Sequence, residues 1–203
     1  TVYMDGPCYE SVMRYPTEVK LLWESIEKAY AMMVSIAHQL GEQRMCTKDN
    51  DIAKDRLAYV KQRKHKKEQT RHLTKRMLEL LGKLLNEIRR QQRKHHQIEL
   101  LKKKETDDLE TITKVYRQQK NHFESSDAKE SIPYRIVSIN KPYVRPIVRG
   151  KEVKQVEFGA KCNNVIVDGI SFIDKLSFNA FNEGKCLKHG IKYIERLLKT
   201  KIK

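Results

Sequence analysis

The sequence predicts a mixed fold of the α+β or α/β class, with a long, basic helical insertion after the first strand of a small sheet. Over residues 19–40, and again over residues 73–88, apolar residues recur at intervals of three and four, the period of an amphipathic helix. From residue 131 the period falls to two, as in a half-buried strand. Asp168-Gly169 then lies between two runs of strand-forming residues, which is a strong signal for a β-hairpin.

The first five residues are predicted to end a strand, because strand-forming residues lead to Asp5 and Gly6-Pro7 then breaks the element. The start of the helical pattern after Pro16 and the period change at residue 131 divide the chain into three predicted segments. They are residues 1–16 as the first core strand and the following loop, 17–130 as the basic helical insertion, and 131–203 as the hairpin and helix of the core.

Within the insertion, the first helix is expected to begin at Pro16 or Thr17 and to end at Gly41. A linker over residues 48–51 separates it from a second helical pattern, which runs from Leu57 and weakens towards Tyr116. We expect at least one long helix there. A hairpin of long amphipathic helices with basic outer faces satisfies the pattern.

In the last segment, strands are predicted at residues 135–139, within 153–167 and at 170–178. Apolar residues at helical spacing over residues 183–203 predict a final helix that packs on the sheet. The longest nearly apolar run, residues 29–37, is far shorter than the roughly 20 residues of a membrane span, so no membrane-spanning helix is expected. The chain begins without Met and without a secretory signal, so we expect it to be internal to a longer protein.

The charge is concentrated in one part of the chain. The sequence has 42 Lys and Arg against 26 Asp and Glu, and residues 54–104 alone hold 18 of the former and 5 of the latter. Such a stretch gains free energy by releasing counterions from phosphates, which makes nucleic acid the expected partner. The expected contacts are Lys61, Arg63, Lys64, Lys66, Lys67, Arg71, Lys75 and Arg76. The plainer interpretation is a solvated helix face without a partner.

Two blocks of residues resemble the catalytic region of bacterial insertion-sequence DDE transposases. The first runs from Met4-Asp5 to Glu10 and on through Arg14-Tyr-Pro-Thr17 to Leu21-Leu22. The second comprises Arg145-Pro-Ile-Val-Arg-Gly-Lys151, Val156-Glu-Phe-Gly-Ala-Lys161, Asp168-Gly169 and Phe178-Asn-Ala-Phe-Asn-Glu-Gly184. Because the blocks lie near opposite ends of the chain in the family's order, the resemblance covers nearly all 203 residues.

The resemblance implies part of a ribonuclease-H-like core, with the helical insertion after its first strand. Family members bind transposon-end DNA, cut it and join it to a target, using two Mg²⁺ or Mn²⁺ ions held by three carboxylates. Asp5 matches the first of these by position and is the expected catalytic residue and metal ligand. The resemblance also implies double-stranded DNA as the partner, a homodimer in the complete protein and a cytoplasmic, nucleoid-associated location.

The match departs from the family at the other two carboxylates. Neither the second Asp nor the Glu has a counterpart in these residues, so we expect the chain alone to be inactive in strand transfer. Asp168 is expected in a turn and Glu183 at a helix start, rather than at a metal. Glycine and proline also follow Asp5, where the family has a small residue and a hydroxyl.

A second basic set surrounds the predicted strand pair. Arg145, Arg149, Lys151 and Lys161 lie close in sequence to Gly150 and Gly159, where the backbone can approach a ligand. Contact with the phosphates of the transposon end and simple solubility of an exposed hairpin explain this set equally well. Two other classes of protein also remain open: a non-catalytic, basic, helical nucleic-acid-binding protein, and a coiled-coil assembly protein.

Overall fold

The structure is a computed structural model that describes residues 2–13, 15–42, 49–125, 132–148 and 155–201. The chain forms two compact units. The helical unit is Tyr15–Pro142, and the sheet unit combines Thr1–Arg14 with Tyr143–Lys203. In sequence, therefore, the helical unit interrupts the sheet unit. The second boundary lies between Pro142 and Tyr143, whereas the sequence pattern predicts it between residues 130 and 131.

Four α-helices make up the described part of the helical unit: α1 (Glu18–Leu40), α2 (Asp49–Lys61), α3 (Lys67–Lys94) and α4 (Lys103–Glu124). Both predicted ends of α1 are confirmed. Thr17 Oγ1 accepts a hydrogen bond from the backbone N–H of Lys20, and Gly41 adopts the left-handed φ of 62° that ends many helices. The predicted linker over residues 48–51 is wrong for 49–51, which form the first turn of α2. Acidic residues are favoured there by the positive end of the helix.

The apolar pattern between residues 73 and 116 belongs to two helices, α3 and α4, joined by residues 95–102. The two helices are antiparallel, as two contacts show. Arg89 Nη2 donates to Thr113 Oγ1 over 3.3 Å, and the Arg71 guanidinium lies 4.5 Å from the centre of the Phe123 ring. The expected hairpin of long helices is therefore α3 with α4.

An apolar core fills the space between α1, α3 and α4, and α2 packs on α3. Leu22, Leu81 and Ile112 have no exposed surface. Ile136 and Ile139 belong to the same core, so the predicted strand over residues 135–139 is wrong. Among the described residues, that segment pairs with no strand; the backbone N–H of Ile136 instead donates to the Gln118 side chain on α4. Ile136, Val137 and Ile139 are all buried, so the segment does not alternate between a buried and an exposed face as a half-buried strand does.

The sheet unit is antiparallel throughout its described residues. Its elements are β1 (Val2–Asp5), β2 (Cys8–Glu10), β3 (Arg145–Val148), β4 (Val156–Val167), β5 (Ile170–Ser177), a 3₁₀ turn (Glu183–Cys186) and α5 (Leu187–Leu198). Every other strand pairs with β4, and β1 and β2 follow one another along it. The strands predicted within 153–167 and at 170–178 are confirmed as β4 and β5. The chain is thus a mixed α+β protein with a five-stranded sheet.

Two predicted turns in the sheet unit are also confirmed. Asp168 and Gly169 both have positive φ, 48° and 85°, as the two-residue turn of a β-hairpin requires. Glu183 begins the 3₁₀ turn, where Asn182 Oδ1 accepts a hydrogen bond from the backbone N–H of Gly184 over 2.8 Å. Within the described residues, no helix combines the length and apolarity needed to cross a membrane.

Helix α5 covers one face of the sheet. A side chain at Gly190 would come within 3.0 Å of Met4 and 3.1 Å of Val165, so the helix approaches closely at this glycine. Met4 and Val165 are paired on β1 and β4, and the next pair along the strands is Asp5 with Asn164. Successive side chains of a strand point to opposite faces, so Asp5 and Asn164 lie on the face away from α5.

Candidate nucleic-acid interface and metal position

The connection between α2 and α3 carries a dense group of positive charges. Five cations, which we call the basic tip, occur within seven residues and are exposed: Lys61, Arg63, Lys64, Lys66 and Lys67. In the part of the chain that the structure describes, none of the five has an ion-pair partner. The tip therefore presents its full charge to solvent.

The connection is held against both helices. The Tyr59 ring on α2 stacks on His65 in the connection, with ring centres 3.9 Å apart and planes 15° apart. The Tyr59 hydroxyl also lies 3.1 Å from Thr70 Oγ1 on α3. At the start of α3, Lys66 makes no capping hydrogen bond through its side chain, so the helix adds the partial positive charge of its first amides to the tip.

The other three predicted DNA contacts lie on α3, and two of them extend the positive surface of the tip. Arg71 and Lys75 are exposed, and with Lys67 they are spaced four residues apart, or about 6 Å of helix rise per step. Arg76 is instead paired with Asp55 on α2, so it joins α3 to α2. The sequence pattern does not separate these roles, because the acid that neutralises Arg76 lies 21 residues away.

The opposite end of α3 is less open to an anion. Lys94 Nζ lies 2.8 Å from Glu42 Oε1, and Arg90 pairs with Glu87 at 2.6 Å. The hydrogen bond from Lys94 is the main reason that the pKa of Glu42 lies below its usual value. Arg93, Lys103 and Lys104 are exposed at this end, which makes them a matched set of cations remote from the tip.

Asp5, the expected metal ligand, is exposed and is the last residue of β1. Across the ladder it faces Asn164, which is only 8% exposed. The enclosed Oδ1 atom of Asn164 has no hydrogen-bond partner among the residues that the structure describes. A carboxylate beside a free amide oxygen is a donor set that suits a hard divalent cation such as Mg²⁺. Among the described residues, no group of three His, Cys, Asp or Glu is placed to hold a metal.

The second basic set has a different character from the basic tip. Lys161 Nζ lies 2.7 Å from Glu183 Oε1 and donates to the carbonyl oxygen of Phe181 over 2.9 Å, and its side chain is 12% exposed. Arg145 is half-buried, its Nη1 donates to the carbonyl of Val144, and burial lowers the pKa of its guanidinium. Arg149 and Lys151 lie outside the described residues. Lys161 therefore ties Glu183 to the sheet and offers little charge to DNA.

Sequence reasoning missed a polar cluster beneath α5. The Asp174 side chain has no exposed surface; it lies 2.6 Å from His189 Nδ1 on α5, and Asn163 Nδ2 donates to it over 3.0 Å. An irregularity in the β4–β5 pairing at Asn163 and Asn164 leaves Asp174 unpaired on its strand. An acid inside a strand-forming run, as Asp174 is, was a possible signal. The sequence does not reveal, however, on which face of the sheet the side chain of a bulged residue lies.

Comparison with protein-family models, with curated proteins and with solved structures finds no match to this chain. The functional interpretation therefore depends on the geometry of these two sites and on the residues that carry the resemblance.

Proposed function

We propose that this chain binds double-stranded DNA as part of a DDE transposase, with the basic tip on the phosphates and Asp5 at the position of the first metal ligand. The observation that carries the proposal is the basic tip itself. Five exposed cations in seven residues form a concentrated positive surface at the connection between α2 and α3, and the stack of Tyr59 on His65 holds this connection against α2.

Phosphate contact is the interaction that such a surface provides. Each Lys or Arg that neutralises a phosphate releases a condensed counterion, and this gain does not depend on the base sequence. Lys67, Arg71 and Lys75 extend the contact along α3. The tip would therefore anchor and orient the duplex, while base recognition requires contacts of another kind.

The arrangement of the two units supports the transposase interpretation. The sheet unit is built from both ends of the chain, with the helical unit inserted after β1 and β2. A ribonuclease-H-like core with a helical insertion after its first strand, which the resemblance implies, is likewise interrupted near its start; here the short β2 also precedes the insertion. Asp5 at the end of β1 matches the place of its first carboxylate.

Four other acids of the sheet unit already have structural surroundings. Glu157 is buried in β4, Asp168 lies in the hairpin turn, and Asp174 and Glu183 are paired with His189 and Lys161. Mg²⁺ or Mn²⁺, when held by three carboxylates, supplies charge stabilisation for both the attacking and the leaving oxygen of a phosphoryl transfer. Asp5 alone holds such an ion weakly, so we expect no strand transfer by these 203 residues.

DNA binding by the basic tip is tested by removing its charge. The variant combines Arg63→Gln, Lys64→Gln and Lys66→Gln, and fluorescence anisotropy measures its affinity for a labelled duplex over a series of salt concentrations. We expect affinity at 0.1 M salt to fall on the order of 100-fold and the slope of log affinity against log salt to become shallower by about 2 to 3.

A matched control removes the same charge from the far end of α3 and α4. Arg93→Gln, Lys103→Gln and Lys104→Gln leave the tip intact, and Arg93 lies about 39 Å from Lys67 along the helix. We expect the change in the salt slope of this control to be less than one third of the change in the variant of the basic tip. Equal losses in the two variants would show that the net charge, and not the tip, binds DNA.

A further inference from the structure

Asn164 has an enclosed amide oxygen without a partner at the centre of the sheet. The residue is 8% exposed, and its Oδ1 atom receives no hydrogen bond in the described part of the chain. A buried polar group without a partner costs folding free energy, and a valine at this strand position would avoid that cost. The asparagine therefore calls for an explanation.

The surroundings of Asn164 direct attention to Asp5. The two residues are partners across the β1–β4 ladder, so their side chains lie on one face with Cβ atoms about 4.5–5.5 Å apart. On the other side, the β5 partner of Asn164 is Ile173, which provides no hydrogen bond through its side chain. Asn163 also has an enclosed Oδ1, but its Nδ2 donates to Asp174, which gives that residue a structural role.

We propose that Asn164 supplies a second oxygen ligand, through Oδ1, to the divalent cation that Asp5 holds. Asparagine carbonyl oxygens and carboxylates are both common ligands of hard cations, and the exposed Asp5 leaves room for the water that Mg²⁺ retains. The inference rests on the proposed function, because the assignment of Asp5 as a metal position comes from the transposase interpretation. It adds a neutral ligand to the carboxylates that the resemblance implies.

Manganese serves as the probe, because it is paramagnetic and binds to the same oxygen ligands. Electron paramagnetic resonance of free Mn²⁺ gives the affinity of the 203-residue chain, and NMR follows the broadening of its side-chain amide signals. We expect Asp5→Asn to weaken Mn²⁺ binding at least about tenfold and Asn164→Ala to weaken it about three- to tenfold. The Asn164 amide signals should broaden at Mn²⁺ concentrations that leave those of the exposed Asn179 sharp.

Two further variants test the metal ligands in another way: one is expected to gain affinity for Mn²⁺, and the other is a control. Asn164→Asp has the same shape with an added charge, so it should bind Mn²⁺ more tightly than the parent and gain more thermal stability from it. Asp168→Asn, in the hairpin turn, is the control for loss of a carboxylate and should leave Mn²⁺ binding unchanged. Circular dichroism checks that each variant keeps the helix content of the parent.

The possible outcomes separate this inference from the proposed function. Mn²⁺ binding that depends on Asp5 but is unchanged by Asn164→Ala and by Asn164→Asp overturns the inference and leaves the metal position at Asp5 standing. Binding that depends on neither residue overturns both the inference and that metal position. DNA binding by the basic tip is measured without metal and is untouched by either result.

Discussion

The helical unit and the sheet unit differ in whether they bury charged residues. In the described residues, the helical unit buries a continuous apolar cluster and neutral polar residues such as Gln91 and Gln119, but no charged residue. The smaller sheet unit encloses Glu157, the Asp174 side chain and two adjacent asparagines. Enclosed polar groups lower stability unless they are fully paired, whereas exposed cations cost little.

Under the proposed function, the two units have different roles. The helical unit supports the basic tip, whose charge and position bind DNA. The sheet unit encloses carboxylates within its fold, and one amide oxygen beside Asp5 has no hydrogen-bond partner among the described residues. Substitutions in the two units are therefore expected to act by different physical mechanisms.

The largest expected effect comes from opening the apolar core of the helical unit. Leu81 has no exposed surface, so Leu81→Ala removes buried methyl groups and leaves a cavity, at a cost of about 2–5 kcal/mol. Urea unfolding followed by the helical circular dichroism signal measures the loss. Leu57→Ala, on an exposed leucine of α2, is the control and should change stability by no more than about 0.5 kcal/mol. Similar losses in both variants would contradict the assigned core.

A substitution at Gly159 tests the sheet unit by steric overlap. A Cβ atom at this position would overlap the carbonyl group of Tyr9 on β2, which is backbone and cannot rotate away. Gly159→Ala should therefore cost about 1–3 kcal/mol and speed hydrogen exchange in β2 and β4 without affecting α3. Gly184→Ala, which meets only the Asn182 side chain, is the milder comparison. Unchanged exchange in β4 after Gly159→Ala would argue against the β2–β4 pairing.

The polar cluster beneath α5 tests whether an enclosed carboxylate stabilises the sheet unit. Asp174→Ala leaves the enclosed Asn163 amide without an acceptor, at an expected cost of about 1–2 kcal/mol. His189→Ala should cost less, because the His189 side chain is 67% exposed and water can replace it. Hydrogen exchange in β5 and α5 measures both variants. A larger loss for His189→Ala than for Asp174→Ala would show that the cluster is not held by the buried carboxylate.

The smallest effect concerns the exposed pair at the far end of α3. Because the folded state lowers the pKa of Glu42, mainly through the hydrogen bond from Lys94, its ionised form favours folding. The contribution is present above the ordinary pKa of a glutamate and is lost as the pH falls through the lower folded value. Thermal unfolding of the parent and of Glu42→Gln should therefore differ slightly at neutral pH and converge in acid. A difference that grows in acid has the wrong sign for this account.

Local signals in the sequence predict much of the fold. The ends of α1 follow from Thr17 and Gly41, and the β4–β5 hairpin follows from Asp168-Gly169, because each of these residues acts through its own backbone or nearest neighbours. The strand predicted at residues 135–139 fails because Ile136 and Ile139 are buried against helices, and a short apolar run does not distinguish this from burial in a sheet. Whether such a segment forms a strand depends on its tertiary contacts, and the spacing of apolar residues along the chain does not reveal these contacts.

The candidate sites were predictable to different degrees. The basic tip follows from charge density alone, since cations without a nearby acid remain exposed. The separate roles of Arg76 and Lys161 do not follow, because their partners Asp55 and Glu183 are distant in sequence. The sequence gives no signal for the role proposed for Asn164, because that role follows only from the ladder register that places Asn164 opposite Asp5.

The central claim, that the basic tip contacts DNA, is tested most directly by photo-crosslinking. The photoreactive residue p-benzoylphenylalanine replaces the exposed Gln62 in the tip or the exposed Gln97 at the far end of α3, and each protein is irradiated with a labelled duplex. The account predicts crosslinks from position 62 that disappear at high salt, and none from position 97. Crosslinks from position 97 alone, or no crosslink from position 62 under conditions where the duplex is bound, would contradict it.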